Sequence, residues 1–98
     1  MMVIVVENAP PRLRGRLALW LAEIRAGVYV GAYSAKTRER IWSETTQLIE
    51  GGSACIAWTA ATDSGFAFSA VGTNRREPAD FDGLTLVRFG HEGATAGK

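Results

Sequence analysis

A short apolar run near the start of the chain, Met2 to Val6, constrains the fold more than any other segment. Its residues are mostly β-branched, and an uninterrupted run of this kind is typical of a central strand buried on both faces. Asn8, a plausible helix cap, follows at once, and Pro10 and Pro11 come next. Proline is tolerated in the first turn of a helix, so a buried strand is predicted to lead directly into a helix.

Two helices are predicted from apolar residues at helical spacing. The first is expected to stop near Ala26–Gly27, because glycine commonly terminates helices. Its apolar stripe consists of Leu13, Leu17, Trp20, Leu21 and Ile24. Ser34 can cap the second helix, which is expected to end at Gly51–Gly52. The inward positions of this second helix are Ile41, Trp42, Thr45, Leu48 and Ile49.

Further strands are predicted where apolar and β-forming residues cluster. They are Val28–Val30, Ser53–Thr59, Phe66–Val71 and Leu84–Phe89. The second and third of these flank a loop of mid length and so form a hairpin. The stretch from Gly72 to Gly83 is rich in turn-forming residues, and the small, polar tail 90–98 is expected to be disordered.

The predicted order is therefore βαβα followed by three strands. A chain of 98 residues is too short for a doubly wound sheet with helices on both faces. The compact alternative is a single domain over residues 1–89, an α+β ferredoxin-like sandwich with both helices on one face of an antiparallel-rich sheet. The other face of that sheet would be bare and apolar, so we expect a symmetric homodimer that covers it.

The net charge of +1 conceals an uneven distribution. Residues 1–40 have seven basic and three acidic groups, a balance of +4, whereas residues 41–98 have four basic and seven acidic groups, a balance of −3. Arginine outnumbers lysine by nine to two, and its planar guanidinium suits phosphate. Without a long apolar stretch or a Lys-rich amphipathic helix, a polyanion is a better partner than a membrane.

The cysteine content and the first residues of the chain predict the cellular compartment. Cys55 is the single cysteine, which excludes an internal disulfide and a cysteine-rich zinc site. The apolar run at the start is too short for a signal peptide and has no basic leader. We therefore expect a cytoplasmic protein.

The strongest local signal for function is the group Arg12, Arg14 and Arg16 in the first turns of a predicted helix. The start of a helix already attracts anions, so these cations oppose the helix dipole and are poorly explained by helix stability. Phosphate contacts are the favoured interpretation, and a solvated face with scattered ion pairs is the alternative. Arg75 and Arg76 form a second basic pair in a loop, where solvent exposure alone would also explain them.

Candidates for catalysis are few. Glu7 ends the first strand and could meet its copy across a dimer axis to hold magnesium, although a strand-end acid paired with an arginine is the simpler interpretation. His91 is the single histidine and lies in the tail, which disfavours histidine acid–base chemistry. The other helical acids, Glu23, Glu39, Glu44 and Glu50, are expected to be solvated surface. Core packing explains Trp20, Trp42 and Trp58 better than base stacking does.

Several blocks of the chain, taken in order, are similar to the type I-E branch of the CRISPR-associated Cas-two family. The longest runs from Val5 through Glu7-Asn8-Ala9-Pro10-Pro11-Arg12-Leu13-Arg14-Gly15-Arg16 to Ala18. The similarity continues at residues 23–31, Ser34-Ala35-Lys36, Ile41-Trp42, Ala57-Trp58, Gly65-Phe66, Gly72-Thr73-Asn74-Arg75-Arg76 and Asp82-Gly83-Leu84. It covers residues 2 to about 89, nearly the whole ordered chain.

The resemblance implies the small subunit of the spacer-acquisition complex, a ferredoxin-like homodimer that bridges two Cas-one integrase dimers and holds double-stranded protospacer DNA. The implied contacts to the phosphate backbone are Arg12, Arg14, Arg75 and Arg76, with Lys36 and Arg38 as additions and Arg16 in the same cluster. The segment from about Pro78 to Phe89 matches the part that docks on the integrase.

The resemblance also leaves an enzymatic alternative open. Other members of the wider family are metal-dependent nucleases with an aspartate at the end of the first strand, where this chain has Glu7-Asn8. The alternative function is thus a magnesium-dependent endonuclease, acting on RNA or DNA, with Glu7 of both subunits as catalytic and metal-binding residue. A third possibility is a ferredoxin-like dimer that only senses or scaffolds and binds no DNA.

Overall fold

The computed structural model describes residues 1–72, 76–81 and 84–89. Within them the chain forms, in order, β1 (Met2–Glu7), α1 (Pro11–Trp20), β2 (Ala22–Arg25), β3 (Val28–Gly31), α2 (Ala35–Leu48), β4 (Ser53–Thr59), β5 (Phe66–Val71), β6 (Arg76–Phe81) and β7 (Leu84–Phe89). The predicted tail, residues 90–98, lies outside the described residues.

The first five strands form one antiparallel sheet in the order β2-β3-β1-β4-β5. The strand β1 occupies the centre, so that Ile4 lies opposite Tyr29 of β3 on one side and Ile56 of β4 on the other. The two helices connect β1 to β2 and β3 to β4. This is the ferredoxin-like α+β arrangement, extended by β5 beyond β4, and the predicted fold class is confirmed.

The two faces of β1 have different environments. Met2, Ile4 and Val6 are buried beneath the helices, whereas Val3 and Val5 on the opposite face are only half-buried. The prediction of a strand buried on both faces was therefore wrong for a single subunit, because both helices lie on the same side of the sheet. The core between helices and sheet is completed by Leu13, Leu17, Leu21, Tyr29, Ile41, Thr45, Ile49, Ala54 and Ile56.

The face of the sheet that lies away from the helices is apolar and not fully covered within one subunit. We call this surface the open face. Phe66 and Phe68 stack on it with their ring centroids 6.3 Å apart, and Phe66 is 39% exposed. From the strand registers, the same face includes Val3, Val5, Val28, Val30, Cys55, Ala57 and Ala70. Half-exposed apolar side chains over several strands are typical of a surface that meets another protein.

The helix α1 is shorter than the sequence predicts. It begins after Pro10, which takes the N-cap position, while Asn8 adopts a positive φ of 56° and caps nothing. It ends at Trp20, and the next residues form β2, where Ile24 is 65% exposed. The predicted extension to Ala26–Gly27 was wrong because Gly27, with a φ of 79°, forms the tight turn between β2 and β3.

The start of α2 agrees with its prediction, but the helix ends at Leu48, before the predicted Gly51–Gly52, because Glu50 already adopts a positive φ of 54°. Ser34 is its N-cap, and the Ser34 hydroxyl accepts a hydrogen bond from the Thr37 amide at 3.3 Å. Ile41, Thr45 and Ile49 are buried, and the Thr45 hydroxyl donates to the Ile41 carbonyl at 2.9 Å. In the described part of the chain, neither helix is long and apolar enough to cross a membrane.

The strands β6 and β7 pair with each other in a separate two-stranded sheet. The bounds of β7 confirm the predicted strand Leu84–Phe89, but β6 falls within the stretch from Gly72 to Gly83 that was expected to be turns. Pro78 lies opposite Val87 in this pair. Proline is tolerated there because each strand of a two-stranded sheet has one unpaired edge.

The turn at Gly27 provides a test of this fold. A Cβ at Gly27 would lie 2.7 Å from the Val6 carbonyl oxygen, and the positive φ is unfavourable for alanine. We expect Gly27→Ala to lower the free energy of unfolding by more than the roughly 1–2 kcal/mol of the backbone conformation alone. Urea titration of the purified protein measures this change.

Gly15 is the matched control for this substitution. It lies within α1 and a Cβ there would meet nothing within 4 Å. Gly15→Ala is expected to raise the free energy of unfolding by roughly 0.5–1 kcal/mol, because alanine loses less backbone freedom in a helix. Equal effects of the two substitutions would contradict the described turn.

Candidate nucleic-acid interface

The start of α1 concentrates positive charge at one end of the helix layer. Arg12, Arg14 and Arg16 lie in its first two turns, and all three are exposed. The first turn of α1 has no acidic residue. Because the first amides of a helix have no intrahelical partner and the dipole is positive there, this end attracts anions even without the side chains. The arginines add full charges to that potential, which suits a phosphate backbone.

The fold distributes these arginines over two sides of α1. Arg12 and Arg16 are one turn apart and therefore share a side of the helix. Together with Glu44, Gln47 and Leu48 of α2 they line an open cleft of about 350 Å³, which we call the interhelix cleft. Arg14 does not line this cleft.

Arg16 forms an ion pair within the protein. Its Nη2 donates to both carboxylate oxygens of Glu44, at 2.8 and 3.0 Å, and its Nε donates to Oε1 at 3.1 Å. The guanidinium also lies over the ring of Trp20, 5.1 Å from its centroid. With the two charged side chains 44% and 31% exposed, the pair contributes only about 0–1 kcal/mol to stability. Sequence reasoning treated Glu44 as solvated surface and did not find this partner.

Arg14 and Glu23 both lie close enough to the buried Tyr29 hydroxyl to affect its pKa. Burial raises the pKa of the Tyr29 hydroxyl, the negative charge of Glu23 raises it further, and the positive charge of Arg14 lowers it. By distance and angle the hydroxyl has no hydrogen-bond partner among the described residues, although Glu23 and Arg14 are close enough to shift its pKa. Glu23 is itself engaged, because its Oε2 accepts from the Gly27 amide at 3.0 Å. The exposed Arg14 forms no ion pair with another described residue, which leaves its charge available to a phosphate.

Lys36 and Arg38 lie in the first two turns of α2, away from the interhelix cleft at its other end. The nearest cleft residue on α2 is Glu44, which lies about 9 Å along the helix from Arg38 and about 12 Å from Lys36. The Arg38 guanidinium covers the Trp58 ring at 4.4 Å. It lines a groove of about 420 Å³ between α2 and the β4–β5 edge, together with Trp42 and Ser69. The fold thus does not bring these two residues next to Arg12 and Arg14.

Glu7 is exposed at the end of β1, opposite Ser53 of β4. Magnesium prefers several oxygen ligands in near-octahedral geometry. Among the described residues, no group of three or more Asp, Glu, His or Cys side chains could hold a metal ion, so this part of one subunit provides no magnesium site around Glu7. A shared ion between two copies of Glu7 stays a prediction, and no reaction step is derived from it.

The second predicted basic pair is described only in part. Arg75 lies outside the described residues, and Arg76 is the first residue of β6. Arg76 therefore belongs to a strand and not to the predicted loop.

Residues 1–86 match the family described as CRISPR-associated protein (Cas_Cas2CT1978). The match covers most of the 98 residues and includes every residue of the α1 cluster. The chain belongs to this CRISPR-associated family. Membership assigns it a role in a CRISPR system and agrees with the resemblance found in the sequence at the level of the Cas-two family.

Substitution of Tyr29 tests whether its hydroxyl, close to Arg14, has a hydrogen-bond partner. Tyr29→Phe removes an unpaired buried polar atom, so we expect the free energy of unfolding to stay the same or rise by about 1 kcal/mol. Tyr33→Phe is the control, since the Tyr33 hydroxyl donates to the Trp20 carbonyl at 2.6 Å. That change should cost about 1 kcal/mol in a thermal or urea unfolding measurement. A larger loss for Tyr29→Phe than for Tyr33→Phe would reveal a partner of the Tyr29 hydroxyl.

Proposed function

We propose that this chain is the DNA-binding assembly subunit of a CRISPR adaptation complex, in the manner of the type I-E branch. In this proposal a homodimer bridges Cas-one integrase dimers and holds the protospacer duplex by its phosphate backbone. The observation that carries the proposal is the exposed pair Arg12 and Arg14 at the positive end of α1. Membership of the CRISPR-associated family supports the setting.

The chemistry of this surface is binding without base recognition. Guanidinium groups and helix amides contact phosphate oxygens, which position a duplex but carry no sequence information. Such contacts release counterions, so affinity falls steeply as salt rises. A subunit that must accept any foreign sequence benefits from this mode of binding. The chemical step of insertion then belongs to the integrase.

A dimer would double the basic surface. The open face of the sheet supports this, because its apolar side chains are half-exposed in one subunit and a second copy can cover them. Each basic residue would then occur twice about a two-fold axis, and two short clusters become a longer track for a duplex.

Val5 tests the dimer directly. It lies on the open face between Val28 and Cys55. Val5→Asp places a charge there, and we expect sedimentation equilibrium to show a shift from dimer to monomer. Val5→Thr, which keeps the branched shape and adds no charge, is the control. A Val5→Asp protein that stays dimeric would place the interface elsewhere.

The salt dependence of DNA binding tests the phosphate contacts. Arg12→Ala and Arg14→Ala should each weaken binding of a mixed-sequence duplex. Each should also flatten the plot of log affinity against log salt by about 0.9 for every phosphate that the variant no longer neutralises. Arg40→Ala is the control, since Arg40 is an exposed arginine on α2 outside the cluster. Fluorescence anisotropy over a series of salt concentrations gives the slopes.

The outcome has three informative forms. Flatter slopes for Arg12→Ala and Arg14→Ala alone support the proposal. Equal small effects in all three variants would mean that binding is diffuse and does not use the start of α1. No binding at any salt would favour a subunit that only senses or scaffolds.

The remaining basic residues extend the proposal. Lys36 and Arg38 would serve as separate contacts, because they lie at the other end of the helix layer, and Arg75 and Arg76 would complete the track. The segment from Pro78 to Phe89, which contains the last four residues of β6 and all of β7, would dock on the integrase. An exposed strand edge can accept a strand from another protein. Co-purification of the two proteins, abolished when residues 78–98 are removed, tests the docking.

Magnesium-dependent cleavage is the alternative function, and it depends on Glu7. It requires that two copies of Glu7 meet across the dimer axis to share an ion. Labelled RNA and duplex DNA, incubated with the protein with and without magnesium, distinguish the alternatives. Cleavage that needs magnesium and is abolished by Glu7→Gln would support the nuclease, whereas cleavage that survives this change would indicate a contaminant.

A further inference from the structure

Arg16 and Glu44 form an ion pair within the interhelix cleft. The guanidinium donates three hydrogen bonds of 2.8 to 3.1 Å to a single carboxylate, in the side-by-side geometry that arginine otherwise uses for phosphate. Its flat side rests on Trp20, which limits the rotation of the group. Arg16 is thus held toward α2 by contacts that occupy the same donors a phosphate would use.

The position of Arg16 would otherwise suit a phosphate. It is one turn from Arg12 on the same side of α1, so their Cβ atoms are about 5–6 Å apart. Successive phosphates of one DNA strand advance by about 3.4 Å along the duplex axis. A backbone that lies on Arg12 therefore presents another phosphate within reach of Arg16, if the guanidinium is released from its pair.

Glu44 also affects the field of the cleft. Its carboxylate pairs with Arg16 and lines the same cleft as Arg12, so it removes one unit of positive charge from the surface that a phosphate approaches. The charge is partly exposed and so acts on solvent-borne anions as well as on Arg16. Among the described residues that line the cleft, a phosphate would meet a neutral pair and the cation of Arg12.

We infer that Glu44 is a positioning residue that withholds Arg16 from DNA and thereby limits the number of phosphates that the start of α1 contacts. The inference rests on the proposed function, because it concerns the same surface. In this inference Arg12 and Arg14 contact phosphate, whereas Arg16 can do so only when it is released from Glu44. The same group of three arginines then has two different roles.

The test is the salt dependence of duplex binding by the full-length protein. Glu44→Gln keeps the size of the side chain but removes its charge, so Arg16 is freed. We expect tighter binding and a plot of log affinity against log salt that is steeper by about 0.9 per released arginine, an additional loss of about 3-fold in affinity per arginine between 50 and 200 mM salt.

Two controls separate release of Arg16 from a general change of charge. Glu39→Gln removes an equal charge from α2, and Glu39 forms no ion pair with another described residue. It should leave the slope unchanged. The double variant Arg16→Ala, Glu44→Gln should return to the slope of the unchanged protein, because no arginine is left to release. Glu44→Ala removes the same charge with a different side chain. Circular dichroism of each variant shows whether the fold has changed.

The possible results are distinct. If the unchanged protein binds DNA but Glu44→Gln and Glu39→Gln give the same slope, the inference is wrong and the proposed function stands. If the double variant Arg16→Ala, Glu44→Gln has a flatter slope than the unchanged protein, Arg16 already contacts phosphate and the inference is wrong. If the unchanged protein binds no duplex, the proposed function fails and the inference fails with it.

Discussion

The alternation of burial along β1 is the constraint on which the rest of the structure depends. Ile4 is fully buried at the centre of the sheet, and its neighbours Val3 and Val5 point to the opposite face. This strand pairs on both edges, so it fixes the register of β3 and β4 at once. It also ends directly before α1, which carries the arginines. The placement of the basic surface is therefore a consequence of the way the central strand packs.

The parts of the fold that the sequence predicts well are those with strong local signals. Ser34 caps α2 with its own hydroxyl, and β4 and β5 follow runs of apolar residues with clear bounds. The predicted end of α1 was wrong because Leu21 and Ile24 continue the helical spacing while Gly27 serves equally well as a helix terminator or a hairpin turn. The strand β6 escaped prediction because it is defined by pairing with β7, which no local pattern of Gly, Asn, Pro and Asp residues indicates.

The candidate site, like the fold, could be predicted from the sequence only in part. A cluster of arginines at a helix start is visible in the sequence, but the difference between Arg14 and Arg16 is not. It depends on Glu44, which is 28 residues away from Arg16 along the chain, and on Glu23 and Tyr29 near Arg14. Sequence reasoning placed both acids on helices as solvated surface, whereas Glu23 lies in β2 and Glu44 is bound. Side-chain contacts that form only through tertiary packing produce no regular spacing in the sequence from which they could be predicted.

The half-buried Cys55 on the open face gives the protein a built-in reporter. The chain has a single cysteine, so any thiol-directed label attaches at one known place beside Val5. Burial raises the pKa of the Cys55 thiol, which keeps the reactive thiolate scarce near neutral pH. The rate of labelling then measures how accessible the open face is. It can be measured in dilute solution, in the presence of DNA or after a partner protein is added.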